Sequence, residues 1–291
     1  QEWLTSMYEF KSVMDLSVMY GIRVVFASTS SFCKLFPPGE PVTEVPTFEI
    51  LDTFDRIQSD PGQEKKWITP YEFVKLGMEL MAMHYHNRKE VDVYASRNFS
   101  VYNAGQQELQ KGRFANMVAQ VIWAVENGQE VPIFIMPGDF ARDIIFVSDL
   151  AKGILHIMGN ATWEGTPKDS ASVFNVGLKR VWLMNQVIAS VMSELSMGEM
   201  VNILYKLPTP GFPGTMVGDP SKIQGLGWEY DYPFEKALRH IFFSNEQEYE
   251  AAVARWESEY APVALDVTQL EALGFQKIAD NVYKHGVFTL L

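Results

Sequence analysis

The 291-residue chain contains a single cysteine, Cys33, which excludes a disulfide framework and a metal site built from several thiolates. Histidine is also sparse: the chain has five, and His84 and His86 are two positions apart on a predicted helix, so they point to different faces. We therefore expect no metal. The sequence also lacks an apolar run near the ~18 residues of a membrane helix, and its start shows no signal peptide. These absences predict a cytoplasmic protein with no membrane contact.

Positive charge is in the minority, with 24 Lys and Arg against 36 Asp and Glu and a net charge of −12. An acidic surface disfavours nucleic-acid backbones and anionic membranes. The seven tryptophans are not interleaved with basic residues, as they would be in a base-stacking platform. We expect no nucleic-acid partner. Hydrophobic residues make up 47% of the chain, enough for a sizeable core, which excludes wholesale disorder.

Short apolar runs alternate with helical patterns over most of the chain. The run 22–27 has no polar alternation, which is typical of a parallel strand buried on both faces. Strands are predicted at 22–27, 91–95, 142–147 and 173–176, and helices at about 4–20, 70–86, 113–127, 148–158 and 184–196. This alternation predicts βαβ units around a parallel sheet.

Two segments depart from that pattern. Five prolines between residues 36 and 66 predict a long loop, and loops of that length are usually functional or inserted. Residues 244–291 contain eight acids and three bases and predict an appended, acidic α+β module. The chain opens on Gln1 without a methionine and closes in a strand-like run, so we expect either a window on a longer protein or a chain that has lost part of its fold.

The strongest local chemical signal is the pair Tyr71 and Lys75. On a helix, residues four apart share a face, so the phenol and the ammonium lie side by side. A cation beside a phenol lowers its pKa, which makes tyrosine a usable base near neutrality. The same spacing also occurs in solvated pairs on helix surfaces. The hydroxyl cluster Ser28–Ser31, which follows a predicted strand, favours the catalytic interpretation because a hydroxyl donor would face the base.

Six segments, in order from about Glu9 to Phe242, resemble the NAD-dependent epimerase/dehydratase family, the extended short-chain dehydrogenases that act on nucleotide sugars. The segments are Val24–Ser30, Thr69–Lys75, Arg97–Gln106, Arg142–Asp149, Phe174–Gly177, and Asp219–Lys222 with Leu226–Trp228. The resemblance implies an α/β fold with a Rossmann-like, doubly wound parallel sheet. The family's N-terminal part, which carries the Gly-rich phosphate turn, is missing from this chain.

The resemblance also implies a division of the chain. Residues 1–160 would form the C-terminal part of the NAD-binding domain, and residues 161–243 a smaller substrate-binding region with elements contributed from about 103–140. Residues 244–291 remain the appended module.

The roles of individual residues follow from the same resemblance. The catalytic residues would be Thr29, Tyr71 and Lys75, acting with bound NAD or NADP on a sugar carbinol. Hydride would leave one face of the sugar carbon and return to the other, which gives an epimer. Cofactor contacts would come from Ala27 and Ser28 together with Tyr71 and Lys75, and substrate contacts from Ser30, Ser100, Lys111 and Arg142, with Arg142 on the diphosphate.

Departures from the family pattern leave alternatives open. Ser100 stands in place of a substrate-facing asparagine, and Cys33-Lys34 in place of Tyr-Gly. Ser31 stands where dehydrating members carry an acid, so an epimerase is favoured over a dehydratase. The resemblance implies a homodimer. The alternatives are an inactive family member that serves as a scaffold or accessory subunit, and a split enzyme whose N-terminal half is a separate polypeptide.

Overall fold

The computed structural model describes residues 2–37, 41–62, 68–89, 91–103, 118, 121–122, 131–134, 141–166, 170–194, 203–206, 215–242, 251, 276–279, 282–285 and 288–290. In these ranges the helices are α1 (Glu2–Tyr20), α2 (Thr47–Ser59), α3 (Pro70–Lys89), α4 (Val147–Asn160), α5 (Met184–Glu194), α6 (Ser221–Gln224) and α7 (Phe234–Phe242). A 3-10 helix spans Ser30–Leu35. The strands are β1 (Val24–Thr29), β2 (Val93–Asn98), β3 (Ser100–Tyr102), β4 (Val131–Phe134), β5 (Ala141–Phe146), β6 (Val173–Val176), β7 (Val181–Leu183), β8 (Ile203–Lys206), β9 (Gln276–Ala279), β10 (Val282–His285) and β11 (Phe288–Leu290).

A parallel sheet in the order β1-β2-β6 organises the fold. Successive side chains of a strand point to opposite faces, and both faces are covered. Val24, Phe26 and Val93 pack with α1 and α3. Their neighbours along the strands, Val25 and Tyr94, point to the other face and pack with α4 and α6. Helices on both faces of a parallel sheet define the α/β, Rossmann-like architecture, which confirms the predicted fold class.

Helix α1 packs on α3 through residues spaced three and four apart. Phe10 and Met14 are buried on this face, and Phe10 contacts Phe26 of β1 with ring centres 4.7 Å apart. Gly21 then adopts a φ of 63°, the left-handed conformation that glycine tolerates best, and this ends the helix before β1 begins. The carboxyl end of β1 is thereby brought next to α3.

Strand β1 is less covered than its neighbours. In the described part of the chain it pairs with β2 alone, its first three residues are half-buried and Ala27 is exposed. β2 and β6 are buried almost throughout. β1 packs against helices on both faces, as expected, but it is only half-buried, and its outer edge has hydrogen-bonding groups that a further strand can use.

A second group of strands extends the structure beyond β2. β3 pairs in parallel with β5, and β5 pairs antiparallel with β7. β4 and β8 form a separate parallel pair. The core beneath β5 includes Tyr102, Ile144, Phe146, Trp182, Val187, Phe234 and Leu238, contributed by β3, β5, β7, α5 and α7.

The prediction of a continuous loop over residues 36–66 is wrong, because α2 occupies Thr47–Ser59. The buried residues of α2 are Thr47, Ile50, Thr53 and Ile57, a helical spacing. Pro46 immediately precedes the helix, where proline does not interrupt the hydrogen-bond pattern. The density of prolines masked this periodicity.

Residues 243–291, together with 196–198, form a second compact unit. Its described strands form an antiparallel sheet in the order β11-β10-β9. The predicted helix at 113–127 lies outside the described residues, apart from residues 118, 121 and 122. The domain boundaries proposed from the sequence stay a prediction.

Candidate active site

The first turn of α3 is fixed by a capping box. The Glu72 N–H donates to the Thr69 hydroxyl (3.3 Å), and the Thr69 N–H donates to the Glu72 carboxylate (2.7 Å). This reciprocal pair satisfies two donors that a helix start otherwise leaves open, and Pro70 suits the first helical position. Tyr71 therefore enters the helix in its first turn, with Lys75 one turn later on the same face.

The carboxyl end of β1 lies against this face. Lys75 Nζ donates to the Ala27 carbonyl at 2.6 Å and lies 5.7 Å from the centre of the Tyr71 ring. Thr29, which is buried, shares a side-chain hydrogen bond with Tyr71. The structure thus brings Thr29, Tyr71 and Lys75 together at the end of a parallel strand, where open α/β sheets form ligand crevices.

Burial favours the neutral forms of Tyr71 and Lys75. Burial raises the pKa of Tyr71 above its ordinary value, the hydrogen bond with Thr29 opposes that rise, and the neighbouring Glu72 carboxylate adds to it. Burial also lowers the pKa of Lys75. Desolvation disfavours the charged form of either side chain. Tyr71 nevertheless remains 40% exposed, so part of the residue is open to solvent.

A buried ion pair ties α3 to the sheet one turn beyond Lys75. The Glu79 carboxylate accepts bonds from Arg97 Nε (2.9 Å) and Nη2 (2.7 Å) in a bidentate pair. It also accepts hydroxyl bonds from Ser28 (2.6 Å) and Thr47 (3.0 Å). Arg97 Nη1 donates to the Val45 carbonyl (2.8 Å). One carboxylate therefore joins α3, β1, β2 and the start of α2.

A second buried ion pair lies at the start of α3, beside Tyr71. Lys34, in the 3-10 helix that follows Thr29, donates to the Glu72 carboxylate at 2.7 Å. The same carboxylate oxygen accepts the Thr69 hydroxyl at 2.9 Å, in addition to the Thr69 N–H. Both charged side chains are buried, at 7% and 4% exposure. The segment after β1 is thereby bound to the start of α3.

The sequence matches the model of the NAD dependent epimerase/dehydratase family over residues 10–177, which span α1 to the end of β6. The chain belongs to this family. The match includes the strand end and the helix that hold Thr29, Tyr71 and Lys75, and it confirms the resemblance identified from the sequence. No curated protein matches the sequence significantly.

Solved structures of similar fold include three nucleotide-sugar enzymes. The UDP-N-acetylglucosamine 4-epimerase of Methanobrevibacter ruminantium, in complex with UDP-N-acetylmuramic acid, shares 19% identity over 84% of this chain and 68% of its own, with a TM-score of 0.61. The Thermus thermophilus UDP-glucose 4-epimerase, in complex with NAD, shares 20% identity over 81% and 69%, also with a TM-score of 0.61. The Bacillus anthracis dTDP-glucose 4,6-dehydratase, in complex with NAD, shares 16% identity over 86% and 71%, with a TM-score of 0.62. At these identities the similarity establishes the fold.

The predicted substrate contacts of this family member fall into two groups. Ser30 is buried next to Thr29 at the start of the 3-10 helix. Ser100 and Arg142 lie on β3 and β5, which pair with each other. Lys111 lies outside the described residues.

Arg142 is buried, at 5% exposure. Its Nη1 donates to the Ala141 carbonyl at 2.9 Å, and burial lowers its pKa to about 9. The backbone of Arg142 pairs with that of Met216 in a parallel β-bridge, and Met216 packs against Cys33 and Phe99. Through these contacts β5 is linked to the 3-10 helix that follows Thr29. Cys33 is buried in the same cluster, which raises its pKa to about 12, so the thiol is a wall residue here and not a nucleophile.

Neither buried ion pair was predicted from the sequence. The pattern Thr-x-x-Glu at residues 69–72 is a capping-box signal and marks Glu72 as structural. Glu79 follows Lys75 by one further helical turn, which places it on the same face. Lys34 had no such signal, because its partner lies 38 residues away in the sequence.

The described part of the chain contains no group of three or more His, Cys, Asp or Glu side chains placed to share a metal ion. In the ranges that the structure describes, no helix combines the length and the apolar character that crossing a membrane requires.

Proposed function

We propose that the chain carries the catalytic site of an NAD-dependent nucleotide-sugar epimerase. The observation that supports this most strongly is the juxtaposition of Thr29, Tyr71 and Lys75 at the carboxyl end of β1, with Lys75 bound to the Ala27 carbonyl. A phenol, an ammonium and a hydroxyl in this arrangement can remove and return the proton of a carbinol.

The residues around β1 fit a flat cofactor. Ala27 is small and is the exposed residue of β1, which leaves room beside it, and the half-exposed Tyr71 borders the same space. NAD, when bound, would supply the acceptor for a hydride from the sugar carbon. Lys75 and Tyr71 would hold its nicotinamide ribose, with Ala27 and Ser28 at the strand end; NADP fits these four residues equally well.

Each chain residue has a defined task in this proposal. Tyr71 takes the proton of the sugar hydroxyl and gives it back after the sugar carbon has inverted. Thr29 hydrogen-bonds the reacting oxygen and steers it towards the phenol. Lys75 offsets the charge on Tyr71 when its proton leaves, because an ammonium within a few ångströms stabilises a phenolate.

The substrate is a nucleotide sugar in this proposal. Arg142 suits a diphosphate, because a buried guanidinium forms bidentate bonds with phosphate oxygens. Ser30 and Ser100 supply short hydroxyls for the sugar, and Lys111 adds a cation. Thr29 Oγ1 lies 3.0 Å from the Ser31 hydroxyl. A serine in this position cannot act as the general acid of an elimination, so epimerisation is favoured over dehydration.

Two partner surfaces accompany the site. Phe73 on α3 and Tyr8 on α1 are 66% and 71% exposed, an apolar surface suited to a homodimer through these helices. The outer edge of β1 suits a further parallel strand that carries a phosphate-binding turn, from the same protein or from a separate polypeptide. Light scattering tests the homodimer. A chain mass well above 33.1 kDa for the native protein would favour a further strand from the same protein over one from a separate polypeptide.

A second candidate is a scaffold or accessory subunit that keeps the fold without the reaction. The pKa of Tyr71, which burial and Glu72 raise, favours this candidate, because a phenol of high pKa is a poor base near neutrality. The two candidates differ in whether turnover depends on the Tyr71 hydroxyl.

The experiment is turnover of UDP-glucose and UDP-N-acetylglucosamine with added NAD, monitored by NMR of the sugar anomeric protons. Tyr71→Phe should abolish formation of the epimer while substrate affinity changes by no more than a few-fold. Tyr230→Phe is the matched control, since Tyr230 is 42% exposed, close to Tyr71 at 40%. Turnover that survives Tyr71→Phe would remove the catalytic assignment, and a wild-type protein that binds NAD without turnover would favour the scaffold.

A further inference from the structure

Lys34 lies in the 3-10 helix that follows β1, and Glu72 lies in the first turn of α3. Lys34 follows Thr29 by five residues, and Glu72 is the residue after Tyr71. Their side chains meet at 2.7 Å inside the protein. The ion pair and the Thr29–Tyr71 hydrogen bond therefore both connect the carboxyl end of β1, or the helix that follows it, to the start of α3.

The Glu72 carboxylate is held from two directions. The capping box with Thr69 fixes it from within α3, and Lys34 fixes it from the 3-10 helix. One oxygen accepts all three donors, so Glu72 cannot rotate without breaking several bonds. Because Glu72 and Tyr71 share a backbone turn, a shift of Glu72 moves the Tyr71 phenol relative to Thr29.

The pair also sets the charge beside Tyr71. The groups that face the phenol are Thr29 from β1, Lys75 from the next turn of α3 and the Glu72 carboxylate. Lys34 offsets the charge of that carboxylate at close range in a buried setting, where charges interact more strongly than in water. Without Lys34, the full negative charge of Glu72 would act on Tyr71.

We propose that Lys34 is a positioning residue of the site, which, through its buried ion pair with Glu72, holds Tyr71 opposite Thr29 and offsets part of the charge of the carboxylate beside the phenol. The inference rests on the proposed function for its catalytic meaning. Its structural and electrostatic content can be measured without turnover. At the level of the sequence, the pair also explains how the chain accommodates lysine at a position where the family pattern has glycine.

The test uses opposite charge changes in the full chain. Lys34→Met leaves the Glu72 carboxylate uncompensated and should raise the pKa of Tyr71 by about one unit or more. Glu72→Gln leaves the Lys34 cation uncompensated and should lower it. The double variant Lys34→Met/Glu72→Gln removes both charges and should return the pKa to near the wild-type value. General loosening of the fold cannot produce shifts of opposite sign.

The measurement is a pH titration of tyrosine Cζ resonances in protein labelled with ¹³C-tyrosine. The resonance missing from Tyr71→Phe identifies Tyr71 among the 12 tyrosines. Lys34→Arg should behave as the wild type, because it preserves the charge. Lys152→Met is the control, since Lys152 pairs with Asp231 at the surface, and it should leave the Tyr71 titration unchanged.

In an active enzyme, Lys34→Met should lower kcat about tenfold for each unit by which the pKa of Tyr71 rises, with KM unchanged. Single variants that shift the pKa in the same direction, or leave it unchanged, would overturn the proposal. Opposite shifts in a protein without turnover would sustain the ion-pair inference and refute the proposed function, so the two failures are distinguishable.

Discussion

Replacing Arg97 with methionine removes the guanidinium from the buried pair with Glu79 and leaves the carboxylate in place. In the wild type this carboxylate accepts four hydrogen bonds, two from Arg97 and one each from Ser28 and Thr47. The variant keeps the two hydroxyl bonds and loses the compensating charge. Removing one partner of a buried pair costs about 3–5 kcal/mol, because the remaining charge is uncompensated.

The double variant Arg97→Met/Glu79→Leu distinguishes this cause from a loss of packing. It removes both charges and leaves the Ser28 and Thr47 hydroxyls without their acceptor. The double variant also loses the bond from Arg97 to the Val45 carbonyl, as Arg97→Met does. Three lost hydrogen bonds at about 1 kcal/mol each give a loss of about 3 kcal/mol, and the double variant should be more stable than Arg97→Met because no uncompensated charge remains.

Urea unfolding followed by tryptophan fluorescence gives these free energies, provided that the slope with urea is unchanged. Lys152→Met is the control for an exposed pair and should cost about 1 kcal/mol or less. The buried Glu79 carboxylate would not depend on the charge of Arg97 if the free energy of unfolding of Arg97→Met lay within 1 kcal/mol of the wild type, or if the double variant were the least stable of the set.

Three further predictions concern the surroundings of the site. Gly218→Ala should destabilise the protein by about 1–3 kcal/mol, seen as a lower Tm, because its Cβ would lie 2.2 Å from the Phe99 ring; an unchanged Tm would contradict the close approach. Cys33, whose pKa burial raises to about 12, should resist Ellman's reagent at pH 8 until urea unfolds the chain; rapid labelling of the native protein would contradict its burial. Burial raises the pKa of Asp143 to about 7, so the native state binds this proton more tightly than the unfolded chain does. The wild type should therefore lose stability relative to Asp143→Asn as pH rises from about 4 to about 7, and parallel stability curves would refute this.

The central strands and helices could be predicted from the sequence because their signals are local. Val24–Thr29 and Val173–Val176 are short β-branched runs, and Tyr71 with Lys75 shows helical spacing within a single turn. α2 could not be predicted in the same way, since the prolines around it outweighed a short amphipathic pattern.

The buried charges of the site could not be predicted, for a different physical reason. Arg97 and Glu79 are 18 residues apart, and Lys34 and Glu72 are 38 apart, so no local pattern links them. Only the packing of α3 on β1 and β2 brings each pair together. A charged residue is ordinarily expected at the surface, and its burial becomes credible only when its partner is known.

In the proposed function, Tyr71, Thr29 and Lys75 move a proton while a hydride leaves and re-enters the same sugar carbon. Turnover of UDP-glucose deuterated at C4 can be followed by NMR and mass spectrometry of the product. We expect an epimer that keeps its deuterium at C4, formed more slowly than from the unlabelled sugar, and no product with Tyr71→Phe. An epimer that has exchanged its deuterium for solvent hydrogen, or one that forms equally well with Tyr71→Phe, would contradict the proposed function.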